Sequence, residues 1–331
     1  MNVVSPTQRA ITSEDVSRLI RASFGPAAAV ADCGPLHGGG FAAVWWVRLD
    51  DDRRVVLKVA PPDALRLLRY ERGLCAAEDR YFRLVADRAP RVPVPPVLHH
   101  GVDPAYGEWL VTGLLPGRSL ADLAADGVAD GPARYDLGGA LAALHRVTGD
   151  RFGYEGDRPS GSTWREAYAA MVDALLADAA DWNVRLPVPP ERVRALVRRH
   201  GPLLDAVRRP ALLHFDCWDG NVLAAPAPDG RLRLSGLVDG ERYLYGDPLM
   251  DLVSPLLGRR AEDEPDHQTL RGYRTAEPFD LDGAARRRLS LYRLYLYLLM
   301  TVEMPSRGMN PESHPDRAAL LDAELAALGR A

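Results

Sequence analysis

Apolar positions along the chain change their spacing several times, and each spacing predicts a different kind of element. The polar segment 12–15, followed by apolar residues at helical spacing, predicts a capping box and an amphipathic helix. The next apolar runs are short, rich in Val and Trp, and separated by an aspartate turn. They predict two adjacent strands, at residues 44–49 and 55–59.

The pattern then becomes helical over residues 62–86, and a proline-rich segment at 91–98 predicts extended backbone at a sheet edge. An apolar run at 109–112 enters a Gly/Pro connector, and most later segments have helical spacing. We therefore expect an N-terminal lobe, residues 1–112, and a mostly helical C-terminal lobe, residues 113–331.

A polar loop between two short apolar runs, residues 212–223, is the most informative stretch for chemistry. It contains Asp216 and Asn221, and a later apolar run ends at Asp239. One carboxylate can accept a proton from a hydroxyl, whereas a second carboxylate and an amide oxygen can hold Mg²⁺. These groups are the ones that phosphoryl transfer from a nucleotide requires.

A glycine-rich hairpin precedes a notable lysine. Gly38, Gly39 and Gly40 would let the backbone approach phosphates closely. The following strand ends near Lys58, the only lysine among 41 basic residues, which suggests a site where arginine does not fit. No glycine precedes this lysine and no Ser or Thr follows it, so the segment is not a Walker A loop.

The remaining nucleotide contacts are predicted from position. A glutamate on the 62–86 segment would hold the lysine; we prefer Glu78, which lies mid-helix before aromatic residues, and keep Glu71 as the alternative. Thr112 and Leu114, at the start of the connector, would present backbone groups to the nucleotide base. Trp164 and Trp182 mark a helical segment whose aromatics either pack in the core or line a substrate pocket.

Composition and charge exclude several classes of protein. The chain has 331 residues, a net charge of −4 and no basic stripe, so we expect no nucleic-acid partner. The apolar stretch 289–302 is short and contains an arginine, which predicts a buried helix and no membrane partner. Three scattered cysteines and the lack of a signal sequence predict a cytoplasmic protein, either a monomer or a homodimer.

Four motifs occur in an order that resembles the aminoglycoside phosphotransferase family, relatives of the protein kinases that include the choline and fructosamine kinases. The motifs lie at residues 56–58, 214–221, 238–241 and 246–251. The resemblance implies an α+β, protein-kinase-like bilobal fold, with an antiparallel sheet and a helix in the N-terminal lobe. It also implies that Lys58 contacts the nucleotide phosphates.

The same resemblance assigns roles in the central loop. Asp216 would accept or orient the acceptor hydroxyl, and Asn221 and Asp239 would hold Mg²⁺ against ATP or GTP. His214 would brace the loop through hydrogen bonds. Asp247 and Asp251 are expected to start a helix and to brace the loop rather than to act in catalysis.

The loop also departs from the family pattern. Phe215 stands where relatives often have glycine, and Cys217 stands where leucine is usual. Trp218 is similar to the fructosamine kinase version of the loop and is a possible acceptor contact. Asp219 is either a second acid near the acceptor or a turn residue. Glu241, where relatives often carry an aromatic, would join the outer shell of the metal or face solvent.

These features predict an NTP-dependent O-phosphotransferase whose partners are a nucleoside triphosphate and a small molecule with a hydroxyl group. We expect an antibiotic acceptor of the aminoglycoside, nucleoside or macrolide type, which would give resistance by inactivation. The alternatives are a sugar or metabolite kinase similar to fructosamine or choline kinases, and a catalytically silent nucleotide-binding regulator. A protein kinase is disfavoured because the segment 239–251 is too short for an activation segment.

Overall fold

The protein was described by a computed structural model that covers residues 5–36 and 39–330. Within these residues, the N-terminal part forms an antiparallel sheet with strand order β1-β2-β3-β5-β4, flanked by two helices. The elements are α1 (Ser13–Phe24), β1 (Val30–Pro35), β2 (Ala43–Leu49), β3 (Arg54–Val59), α2 (Leu74–Arg88), β4 (Val97–Asp103) and β5 (Gly107–Gly113).

Helix α1 begins where the sequence predicts it. Thr12 is the N-cap, and its side chain and that of Asp15 form the predicted capping box. The helix buries Val16, Leu19 and Ile20 against one face of the sheet. The opposite face of the sheet is therefore left for α2 and for the cleft between the lobes.

The predicted helix over 62–86 was wrong in its first half, because α2 begins only at Leu74. Residues before it form a loop with a short 3-10 turn, Arg69–Glu71. Side chains satisfy the backbone N–H groups here: Glu71 accepts from Leu68 at 2.9 Å, and Asp178 accepts from Arg69 at 3.0 Å. Gly73, with a left-handed φ of 65°, then separates this turn from the helix.

The C-terminal part is mostly helical, with short strand pairs that carry the central loop. Its elements are β6 (Arg118–Ser119), α3 (Leu120–Ala125), α4 (Gly131–Leu144), β7 (Phe152–Gly153), β8 (Ser160–Gly161), α5 (Trp164–Asp181), α6 (Pro190–His200), β9 (Ala211–Leu213), β10 (Val222–Pro226), β11 (Leu232–Leu237), β12 (Leu244–Gly246), α7 (Gln268–Ala276), α8 (Gly283–Val302) and α9 (Pro315–Arg330). Strand β5 ends beside the boundary predicted at residue 112.

The core of the C-terminal part is built around α5 and α8. Helix α8 is buried on nearly all sides, as its apolar sequence predicts. Trp164 is 1% exposed, and its indole N–H donates to the Tyr292 hydroxyl at 2.9 Å. Of the two alternatives for Trp164, core packing is therefore the one that fits, and contact with substrate is not: the ring is a core residue with a satisfied polar atom.

Contacts between the two parts are made by a buried ion pair. Arg307, which follows α8, binds Glu71 of the 3-10 turn and stacks on the ring of Phe41 in the glycine-rich hairpin. Gly308 lies against Pro6 of the N-terminal segment.

Among the described residues, no helix combines the length and hydrophobicity needed to cross a lipid bilayer.

Candidate active site

Strand β3 directs the side chain of Lys58 into the cleft. Its Nζ atom lies 2.6 Å from Oε1 of Glu78 on α2 and also binds the carboxylate of Asp239, which follows β11. Of the two candidate glutamates, Glu78 is the partner of the lysine. Glu71 points elsewhere and binds Arg307.

The cation at this position is stabilised by its surroundings. Burial alone would lower the pKa of Lys58, but the charges of Asp239, Glu78 and Glu241 outweigh burial and raise that pKa. The lysine in turn lowers the pKa of Asp239 against the opposing effect of burial. Both groups are therefore charged at neutral pH.

Pairing of β10 with β11 brings the two predicted metal ligands to the same end of a hairpin. Val222 pairs with Leu237, and the next N–H, of Val238, donates to the carbonyl oxygen of Asn221 at 3.0 Å. The Asn221 side-chain amide donates to the Asp216 carbonyl oxygen at 2.9 Å, which leaves its Oδ1 atom as the candidate ligand. With the Asp239 carboxylate, this set offers the oxygen ligands that Mg²⁺ prefers.

His214 braces the loop through both ring nitrogens. Its Nε2–H donates to the Val238 carbonyl oxygen at 3.0 Å, while Nδ1 accepts the N–H of Asp216 at 3.3 Å. Burial lowers the pKa of this histidine, which favours the neutral ring that these two bonds require. Asp251 accepts the N–H of His214 at 2.8 Å and that of Phe215 at 2.5 Å.

Phe215 occupies a left-handed backbone conformation with φ of 67°. Glycine adopts this conformation without strain, which explains why glycine suits this position. In this chain the phenylalanine ring is buried and packs against Tyr295, with ring centroids 5.6 Å apart.

Asp216 faces a cation that the sequence did not single out. The Nε atom of Arg242 lies 3.6 Å from Oδ2 of Asp216, and Arg242 also binds Glu303 at 3.0 Å. Tyr70 donates its hydroxyl to Glu303 at 2.8 Å and lies under the guanidinium. Burial raises the pKa of Asp216, and Arg242 opposes that rise.

Of the residues around Asp216, Arg242 could have been found in the sequence. It directly follows the third motif, residues 238–241, and its short distance along the chain from Asp239 indicates a place near the site. Glu303 and Tyr70 lie far from every motif, and only tertiary packing places them here.

The glycine-rich hairpin is held by the N-terminal segment. Thr7 donates its hydroxyl to the carbonyl oxygen of Gly40 at 2.9 Å, and Gln8 donates to that of Gly39 at 3.0 Å. Gly38 lies outside the described residues.

The predicted base contacts lie on the same face of the sheet as Lys58. Register pairs Lys58 with Leu110 and Val56 with Thr112, so Thr112 projects to the lysine side. Leu114 and Trp46 line a cavity of about 380 Å³ near this face. Trp46 was missed as a candidate. Val44 and Trp46 are two residues apart on β2 and therefore share a face of the sheet, and this period-two pattern would have placed Trp46 on the side of Lys58.

The three residues of the loop region that were predicted to contact the acceptor lie in different environments. Trp218, two residues after Asp216 in the central loop, is 37% exposed, whereas both carboxylate oxygens of Asp219 are bound by Arg134 at 2.8 and 2.7 Å. The turn-residue alternative therefore fits Asp219 better than acceptor contact. Glu241 lies near Glu78, and burial together with that charge raises the pKa of Glu241 to about 8.

Trp182 lies at the far end of α5 from Trp164 and is half-buried against the core, with Arg66 over its ring at 5.4 Å. The long helix separates it from the N-terminal end of α5, so the two tryptophans do not line one pocket.

Comparison with known proteins identifies the family. A sequence model of the phosphotransferase enzyme family, APH, matches residues 33–292, which is most of the chain. The chain belongs to this family. The probable ketoamine kinase YniA of Escherichia coli is 28% identical over 225 residues, covering 64% of this chain and 68% of that protein.

Solved structures agree with this assignment. A provisionally named fructosamine-3-kinase of Thermobifida fusca superimposes with a TM-score of 0.69 at 23% identity, covering 96% of this chain and 99% of the other. A thermostable mutant of aminoglycoside phosphotransferase APH(4)-Ia, in ternary complex with AMP-PNP and hygromycin B, gives 0.57 at 21% identity and covers 96% and 98%. The predicted kinase-like α+β fold is confirmed, and the phosphotransferase is a small-molecule kinase that uses a nucleotide donor.

Proposed function

We propose that this kinase transfers the γ-phosphoryl group of ATP to a hydroxyl of a ketoamine, a sugar joined to an amine. The observation that carries the proposal is the convergence of Lys58, Asp239, Asn221 and Asp216 in one cleft. Relatives named as ketoamine and fructosamine kinases support a sugar-derived acceptor over the antibiotic that the sequence first suggested.

Each charged group has a role in this reaction. Lys58, held by Glu78, would bind nucleotide phosphates, and Asn221 with Asp239 would hold Mg²⁺, which neutralises phosphate charge when bound. Asp216 would accept the proton of the acceptor hydroxyl. Arg242 would favour the ionised form of the buried Asp216 carboxylate, because its charge opposes the rise in pKa that burial causes.

The acceptor would lie beside the exposed face of Trp218. An aromatic ring offers a flat apolar surface on which the face of a sugar ring can rest, while nearby polar groups orient its hydroxyls. A ketoamine also carries an amine, and the carboxylates of Asp216 and Asp239 in the cleft give a field that attracts it.

Turnover assays with matched acceptors test the substrate. The full chain is incubated with Mg²⁺ and either ATP or GTP, and with a fructosyl-amino acid, a free hexose, an aminoglycoside, a nucleoside or a macrolide. We expect phosphorylation of the fructosyl-amino acid, detected by mass spectrometry, with ATP preferred. Phosphorylation of only the aminoglycoside or macrolide would instead establish an antibiotic kinase, and nucleotide binding without any transfer would indicate a regulator.

Replacement of the candidate base tests the mechanism. Asp216→Asn should lower kcat by at least about 100-fold, since general base catalysis contributes typically that much, while nucleotide affinity changes little. The matched control is Asp229→Asn in the exposed β10–β11 turn, which should retain wild-type turnover. Near wild-type activity of Asp216→Asn would refute the assignment.

A further inference from the structure

Three side chains with metal-binding atoms converge on the N-terminal lobe, at the first turn of α2. They are Cys75 on α2, His100 on β4 and Glu108 on β5. One sulfur, one imidazole nitrogen and one carboxylate oxygen all lie within 4.8 Å of one another. The Nε2 atom of His100 is 3.8 Å from Oε2 of Glu108. Three elements that are distant in sequence therefore contribute one ligand atom each.

The sheet register explains why the two strand residues meet. His100 pairs with Leu110 and Val102 pairs with Glu108, so His100 and Glu108 are diagonal neighbours on the same face. This is the face that α2 covers. The Glu108 carboxylate accepts the backbone N–H of Ala76 at 3.2 Å, which fixes it beside Cys75 in the first turn of the helix.

His100 has an unsatisfied atom that points into the cluster. Its Nε2 atom is buried and makes no hydrogen bond to any residue in 5–36 or 39–330. Buried polar atoms normally have a hydrogen-bond partner. The Nε2 atom of His100 lacks one in the described part of the chain and is therefore available to bind a metal ion. On the other side of the ring, Nδ1 lies 3.9 Å from Oδ2 of Asp79, one helical turn after Cys75. A carboxylate behind a metal-binding histidine is a common outer-shell arrangement.

The electrostatic field at the cluster also suits a cation. Besides the Glu108 carboxylate of the cluster, α2 carries Glu78 and Asp79 one turn after Cys75, and Asp79 lies beside the His100 ring. A divalent cation would be attracted by these carboxylates and would stabilise the Cys75 thiolate when bound.

We propose that Cys75, His100 and Glu108 bind one zinc ion. A mixed sulfur, nitrogen and oxygen ligand set suits zinc, and three protein ligands leave a fourth position for water. The sulfur–zinc bond forms as the thiol releases its proton to solvent. The ion would tie the first turn of α2 to β4 and β5. Because Glu78 lies one turn later on α2, the site would anchor the helix that holds Lys58.

Direct metal binding tests this site independently of phosphoryl transfer. The full chain is stripped with a chelator and titrated with Zn²⁺, and bound metal is measured by mass spectrometry. We expect one zinc per chain, and affinity at least about 100-fold weaker in Cys75→Ala and His100→Gln. Cys33→Ala is the matched control, a half-buried cysteine on β1 that should leave zinc affinity unchanged. Asp79→Asn should weaken binding about tenfold, as loss of an outer-shell partner does.

Cobalt provides a readout that does not depend on the variants folding. Co²⁺ bound to the wild-type chain, or to Cys33→Ala, should show a sulfur-to-metal charge-transfer band, and Zn²⁺ should displace it. The proposal would be overturned if Cys75→Ala and His100→Gln both bound zinc with wild-type affinity. So would a wild-type chain that takes up no zinc, or a cobalt complex without that band. None of these outcomes bears on whether the protein is a kinase.

Discussion

Phe215 shows how a single residue can combine unfavourable backbone with favourable packing. Its left-handed φ costs about 1–2 kcal/mol for a residue with a Cβ, whereas full burial of an aromatic ring contributes more. The ring packs on Tyr295 behind the central loop, residues 212–223. Packing therefore decides the identity of this residue, although glycine would suit the backbone.

Replacement of this residue measures the balance. Phe215→Gly should relieve about 1–2 kcal/mol of strain but lose about 3–5 kcal/mol of core packing, so we expect a net loss of about 1–4 kcal/mol in the free energy of unfolding. Phe215→Leu, which keeps most of the apolar surface, should lose less. Denaturant unfolding measures both changes, and a Phe215→Gly variant as stable as wild type would show that strain dominates.

At the scale of elements, helix α1 joins the sheet through its capping box. Asp15 accepts the backbone N–H of Thr12 at 2.8 Å and the hydroxyl of Tyr106, before β5, at 2.7 Å. Hydrogen bonds from Tyr106 and Thr12 lower the pKa of Asp15 to about 2. The carboxylate thus stabilises both the start of the helix and its contact with the sheet.

The pKa of Asp15 predicts a pH-dependent contribution to stability. A lowered folded-state pKa gives stability that is complete above the ordinary value of 3.8 and is lost as pH falls toward 2. Asp15→Asn should cost about 0.5–1 kcal/mol at pH 7, reduced by solvent screening, and the difference from wild type should shrink below pH 4.

Thermal unfolding of wild type and variant between pH 7 and pH 3 provides the measurement. Glu14→Gln is the control. The Glu14 side chain lies in the same turn but is 82% exposed, and its ion pair with Arg18, at 3.6 Å, is open to solvent, so the variant should have little effect on stability. A difference between Asp15→Asn and wild type that is constant over this range would contradict the assigned pKa.

At the scale of the whole molecule, the two parts are joined by charges buried between them. Arg307 binds Glu71, and both side chains are nearly inaccessible to solvent. Arg307 also stacks on Phe41, so one guanidinium contacts the 3-10 turn and the glycine-rich hairpin.

A double-mutant cycle tests that contact. Arg307→Met leaves the Glu71 carboxylate buried without its partner and should cost about 3–5 kcal/mol in the free energy of unfolding. Adding Glu71→Gln should restore much of this loss, because the buried charge is removed. Losses that simply add in the double variant, measured by denaturant unfolding, would show that the two residues do not interact energetically.

The sequence by itself determined the order of the motifs and the chemistry they carry. Lys58, Asp216, Asn221 and Asp239 were recognisable because charge and amide groups stand at the ends of short apolar runs, a local pattern. The strands β2, β3 and β5 of the N-terminal sheet and helix α1 were equally local, since alternation and capping are properties of a few consecutive residues. Strand β1 was not predicted.

Tertiary structure decided what depends on partners distant in the chain. The start of α2, the burial of Trp164 and the choice of Glu78 over Glu71 each follow from such partners. Glu303 and Tyr70 beside Asp216, and the Cys75–His100–Glu108 cluster, have no local signal at all. Packing between distant segments brings these side chains together, and the spacing of residues along one segment does not encode that packing.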